Sequence, residues 1–142
     1  MNDMFHYVLL WHEGTTIEEI TIEYIKDIWT IGKKAPFSIR RFTCQIYNGK
    51  LYSPADNGTA MQIYDINSNT WTTGANAPSV TYRYTSQLYN GKIYCPSNVY
   101  PSMHIYDIES DTWSVGADAP KYANRWSSHI YNGKMYCVTS HP

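Results

Sequence analysis

Arg41, Arg83 and Arg125 stand 42 residues apart. Three guanidinium groups brought to one level would form a fork-shaped site for a carboxylate or sulfate. The same spacing equally suits three arginines that each pair with a neighbouring loop carbonyl or Asp. The five histidines, at 6, 12, 104, 129 and 141, show no zinc-protease spacing such as HExxH. His129 takes the place held one and two periods earlier by Gln87 and Gln45, which points to polar packing. The three cysteines are an odd count with no CxxC, which excludes a complete disulfide framework. Cys95 and Cys137 share a position with Ser53, and Cys44 shares one with Ser86 and Ser128. A place that alternates Cys with Ser reads as a small buried side chain. Glu18, Glu19 and Glu23 read as a solvated face. Neither a phosphate loop nor a Ser-His-Asp arrangement stands out. The sequence therefore predicts no catalytic residue, no metal and no cofactor.

The element that must position these residues is a repeat. Trp29, Trp71 and Trp113 keep the 42-residue period, as do Pro36, Pro78 and Pro120 and the Tyr-Asn-Gly-Lys runs starting at Tyr47, Tyr89 and Tyr131. Half of the positions in 29–70 recur identically in 71–112. Self-similarity at this period marks a repeat architecture. One unit divides into four short strands. The first, A, is 83–89; Asn90-Gly91 supplies the positive φ angles of a tight hairpin turn. The second, B, is 92–95, and the third, C, is 102–108. Glu109-Ser110-Asp111 turns the chain into D, 112–115, and Gly116 to Pro120 is expected to end it. Four antiparallel strands per unit is the pattern of a propeller blade.

Composition agrees with an all-β chain. There are 14 Tyr but only 4 Leu, and 16% of residues are charged. Aromatic and β-branched residues fit a pleated surface, while Leu favours helix. A length of 142 residues suits a single domain. A formal net charge of −1 gives no electrostatic case for nucleic acid or an anionic membrane. No stretch approaches a membrane span, and the apolar run Tyr7 to Trp11 is too short for a signal peptide. The default expectation is a cytoplasmic protein.

Gly91-Lys92-Ile93-Tyr94, then Tyr106-Asp107 with Trp113 seven residues on, resembles the kelch repeat, as do Gly49 to Tyr52 and Tyr64-Asp65 with Trp71. The resemblance covers 29–142 and implies kelch-type β-propeller blades in three units, 29–70, 71–112 and 113–142. Two features depart from the family pattern. The usual Gly-Gly after strand B is replaced by Ala55-Asp56, Ser97-Asn98 and Thr139-Ser140. The usual Arg three residues after the Pro is Ile39, Thr81 and Ala123. Residues 1–28 read as a degenerate half-blade of C and D strands with Trp29 in register. Ile17, Ile20, Tyr24 and Ile28 also sit at helical spacing behind a capping box at Thr15 and Glu18. Phe5 to Trp11 reads as one more strand.

In an A-B-C-D meander the A–B and C–D turns share one rim, and the B–C and D–A loops share the other. The repeated Tyr-Asn-Gly-Lys runs fall on the first rim, and the varying loops on the second. A varying loop surface on a repeated scaffold is the place to expect binding. Arg41, Arg83, Arg125, Tyr82, Asn98, Tyr100 and Trp126 are the expected ligand-binding residues. Trp29, Trp71, Trp113, Tyr64 and Tyr106 are expected to be structural, the tryptophans buried between blades. Two function classes follow. One is a non-catalytic module that binds a protein or glycan. The other, implied by the resemblance, is a sugar-active enzyme, since kelch-type propellers include a galactose oxidase and a sialic acid epimerase. An oxidase site of that kind needs Tyr and His ligands from several blades and a Cys-linked Tyr, a set this sequence does not mark. The binding module is the better expectation. Propellers have about 4–8 blades in a closed ring. About three blades per chain, with C–D strands at the start and A–B strands at 125–139, predict a six-bladed homodimer with two composite blades; the alternative is a piece of a longer propeller, or a partner of a different chain.

Overall fold

The structure is a computed structural model, described for residues 32–37, 43–55, 57–81, 85–96, 102–119 and 127–138. These residues contain ten strands: β1 (Gln45–Tyr47), β2 (Lys50–Pro54), β3 (Gly58–Asp65), β4 (Thr70–Thr81), β5 (Gln87–Tyr89), β6 (Lys92–Pro96), β7 (Ser102–Asp107), β8 (Thr112–Asp118), β9 (Ser127–Tyr131) and β10 (Lys134–Val138). They form two four-stranded sheets, β1-β2-β3-β4 and β5-β6-β7-β8, and a two-stranded sheet, β9-β10. Every pairing is antiparallel between sequence neighbours, so each sheet is a meander.

The hairpins follow from their Asn-Gly pairs. Asn48 and Gly49 have φ of 47° and 70°, and Asn90-Gly91 and Asn132-Gly133 repeat these values closely. Two consecutive left-handed residues make the turn whose twist matches the flanking strands. The tight turns fix the register, which sets Tyr64 opposite Trp71 and Tyr106 opposite Trp113. Those ring pairs sit 5.0 and 5.1 Å apart. The core lies between the two four-stranded sheets: Tyr52 and Met61 from the first meet Ile93, Cys95 and Tyr106 from the second.

A repeated clasp joins successive units. Asp111 Oδ1 accepts from Tyr106 Oη and from the Ala75 backbone N–H, each at 2.7 Å, and Trp113 Nε1 donates to Ala75 O at 2.9 Å. One period earlier, Asn69 Oδ1 accepts from Tyr64 Oη and the Lys33 N–H at 2.8 Å, and Trp71 Nε1 donates to Lys33 O at 2.7 Å. Asn69 and Asp111 both have positive φ, a conformation Asn and Asp tolerate better than most residues. A Cβ on Gly74 would stand 2.6 Å from Tyr106 Oη and 2.7 Å from Asp111 Oδ1, so only glycine lets the clasp close.

Three expectations need correction. Strand D does not end at Gly74 or Gly116: β4 runs on to Thr81 and β8 to Asp118. The ladder absorbs the Gly-to-Pro segment through register shifts around Ala60 and between Ser102 and His104. The inner strand of the second blade begins at Gln87, with Thr85 and Ser86 outside it. Trp71 and Trp113 are half-buried where burial was expected, because the clasp uses the indole edge against a backbone carbonyl.

Candidate functional site

The meander puts Asn48-Gly49, Asn90-Gly91, Asn132-Gly133 and the 66–69 and 108–111 turns on one rim. That rim is built from engaged groups. Asp65 and Asp107 each accept from the backbone N–H three residues on, at Ser68 and Ser110. Lys92 Nζ bonds Asp107, its cross-strand partner. The Lys92 ammonium and the Ser110 N–H hold the Asp107 carboxyl down at about 2, and Asp107 in turn raises the Lys92 pKa. Lys50 and Asp65 hold the equivalent cross-strand places in the first blade.

A cleft of about 780 Å³ opens between the two hairpin turns on this rim, lined by Tyr47, Lys50, Tyr52, Lys92, Asp107 and Glu109 among others. Sequence reasoning missed it. The signal is the Tyr-Asn-Gly-Lys period itself, because like turns on adjacent blades must leave a gap between them. Lys92 and Asp107 pair within it, and Lys50 and Glu109 add one charge of each sign to its lining.

All seven expected ligand-binding residues, Arg41, Tyr82, Arg83, Asn98, Tyr100, Arg125 and Trp126, lie outside the described residues, as does Trp29. The described neighbours on the D–A side form a polar ladder across successive inner strands. Thr43 Oγ1 is 3.0 Å from Ser86 Oγ, Ser86 Oγ donates to Thr43 O at 2.6 Å, and Gln45 Nε2 donates to Ser86 O at 2.8 Å. One blade on, Thr85 Oγ1 is 2.9 Å from Ser128 Oγ, and Gln87 Nε2 donates to Ser128 O at 2.6 Å.

Two chemistry-bearing types have structural settings. Cys95 is fully buried, and burial pushes its thiol far above the ordinary range. His104 is buried edge-on to Trp113, with Nε2 3.5 Å from Ser79 Oγ, and burial lowers its pKa. Cys44 and His129 depart from the expected packing roles, because both side chains are exposed, at opposite ends of the ladder. Among the described residues no group of three His, Cys, Asp or Glu side chains is placed to hold a metal ion. No described helix is long and apolar enough to cross a membrane.

Consecutive four-stranded meanders, each opening on its inner strand and clasped through a Tyr, an Asn or Asp and a Trp, are kelch-like propeller blades. The solved structure of YjhT is similar to this chain, with a TM-score of 0.65 at 21% sequence identity. The match covers 76% of this chain and 36% of that one. At this identity the likeness establishes the fold. No protein-family model matches the chain, and no curated protein matches it either.

Proposed function

We propose that the protein is a non-catalytic binding module. Its blades form part of a six-bladed ring completed by a second copy, and its B–C and D–A loops receive an acidic ligand, a glycan or the acidic face of a protein. One observation carries this reading. The clasp that fixes each blade repeats atom for atom, from Lys33–Asn69–Trp71 to Ala75–Asp111–Trp113, while the loops of the opposite rim change at nearly every position. A scaffold held constant beneath varied loops suits recognition, because rigid elements present the loops at fixed spacing. The ligand class follows from Arg41, Arg83 and Arg125, which precede the inner strands in sequence, with Tyr82, Asn98, Tyr100 and Trp126 in the varying segments of the repeat. Guanidinium groups pair bidentately with carboxylates and sulfates, and Tyr and Trp add contact area. The buried Cys95 and His104 serve packing, which leaves the loops as the place for ligand chemistry.

The test is an array of carboxylated and sulfated glycans and acidic peptides, probed with the wild-type chain and with Arg83→Ala and Arg125→Ala. Binding to one acidic class that falls at least tenfold in both variants is expected. Binding unchanged by both substitutions would place the site elsewhere, and stoichiometric copper in metal analysis would favour the oxidase alternative.

A further inference from the structure

The inner-strand ladder has two ends, and their chemistry is complementary. Each rung joins a hydroxyl and an amide on one blade to a serine on the next: Thr43 and Gln45 to Ser86, then Thr85 and Gln87 to Ser128. In the 42-residue register the next donors are Ser127 and His129, and the residue at the serine place of the first blade is Cys44. His129 and Cys44 are thus the two departures from the Gln and Ser pattern, and both stand where the described ladder stops. A histidine Nε2 reaches about as far from the backbone as a glutamine Nε2 and also donates. A cysteine keeps the small side chain and the backbone carbonyl that the rung requires.

The outer part of the molecule carries the same mark. Tyr52 is 6% exposed, but Tyr136, its counterpart two repeats on, is 55% exposed, and Val138 at the place of buried Pro54 and Pro96 is 72% exposed. Gly32 and Gly74 abut a tyrosine hydroxyl of the following blade, and the nearest described neighbours of Gly116 are Ile105 and Met103 of its own sheet. Among the described residues, the β9–β10 side is thus more exposed than the matching places of the first two blades. Within this chain, Asp27 and Trp29 hold the sequence places of Asn69 and Asp111 and of Trp71 and Trp113.

We infer that two copies of this chain meet at two equivalent seams, where Ser127 and His129 of one copy make the next rung of the ladder with Cys44 of the other. This rests on the six-bladed ring proposed above and names its joint. His129 Nε2 donates to the Cys44 carbonyl, as Gln87 donates to that of Ser128. Ser127 Oγ faces the Cys44 thiol, as Thr85 faces Ser128. The contact is isologous, so a two-fold axis closes it without leaving a free edge.

The test is Ser127→Cys in the full chain. The 2.9 Å separation of the Thr85 and Ser128 hydroxyls places the equivalent side chains within disulfide reach. Copper–phenanthroline oxidation should convert most of the variant to a covalent dimer on non-reducing gels, reversed by dithiothreitol. The double variant Ser127→Cys with Cys44→Ser should run as a single chain. His129→Gln and Cys44→Ser restore the residues of the other rungs and should keep the dimer by gel filtration. His129→Ala should weaken it about tenfold. A dimer by gel filtration that gives no Cys44-dependent cross-link would overturn the seam while leaving the ring. Elution as one chain, with no cross-link, would overturn both.

Discussion

Asp111 serves two elements through one oxygen, accepting from Tyr106 within its own blade and from Ala75 on the blade before. Hydrogen bonds to a charged acceptor contribute about 1.5–3 kcal/mol each. Asp111→Ala should therefore destabilise the fold by about 2–3 kcal/mol in urea unfolding. Asp111→Asn should cost under about 1 kcal/mol, since Asn69 does the same task one blade earlier. Ser53 offers a gain. Its hydroxyl is fully buried and has no hydrogen-bond partner among the described residues. The second blade has Cys95 at that place. Ser53→Cys should stabilise by about 1 kcal/mol, because a thiol costs less to bury than an unpaired hydroxyl. His104 sets a pH dependence. Its folded pKa lies below the ordinary 6.5, so the unfolded chain takes up the proton first. Its contribution is complete above pH 6.5 and is lost as pH falls through the folded value. His104→Gln, the residue of the first blade at Gln62, should flatten the fall in melting temperature below pH 6.5.

At the scale of the strand and turn, the glycine of each clasp decides how closely blades approach. Gly74→Ala would force a methyl against Tyr106 Oη and Asp111 Oδ1. A loss of about 2–3 kcal/mol is expected, with the transition still cooperative. Double-mutant analysis with Asp111→Ala should show strong non-additivity, because both changes open the same clasp. The four-strand unit was legible because its turns are local: an Asn-Gly pair fixes a hairpin whatever surrounds it. The Trp period was legible too, but its use was not. Spacing shows that Trp71 and Trp113 occupy like places; only tertiary geometry shows the indole N–H spent on the carbonyls of Lys33 and Ala75. The extension of strand D through Gly74 and Pro78 was hidden because glycine and proline ordinarily punctuate strands, and a register shift overrides them here. The cleft beside Lys50 and Lys92 was hidden for another reason: it belongs to the gap between units, and no single unit encodes it. The seven expected binding residues are outside the described residues, so their proposed role rests on sequence register.

For the whole molecule the question is closure. Among the described residues are two full blades and the β9–β10 pair, and the inner ladder runs from Cys44 at one end to Ser127 and His129 at the other. In a ring built from two chains each end meets its complement, and the variable loops of both copies come to one face. Ligand sites would then occur in two equivalent sets around one channel. Light scattering on the purified chain at micromolar concentration tests this most directly. The account predicts a mass twice the 16.4 kDa of one chain, held unchanged on tenfold dilution. A mass of 16.4 kDa accompanied by a single cooperative unfolding transition would contradict it.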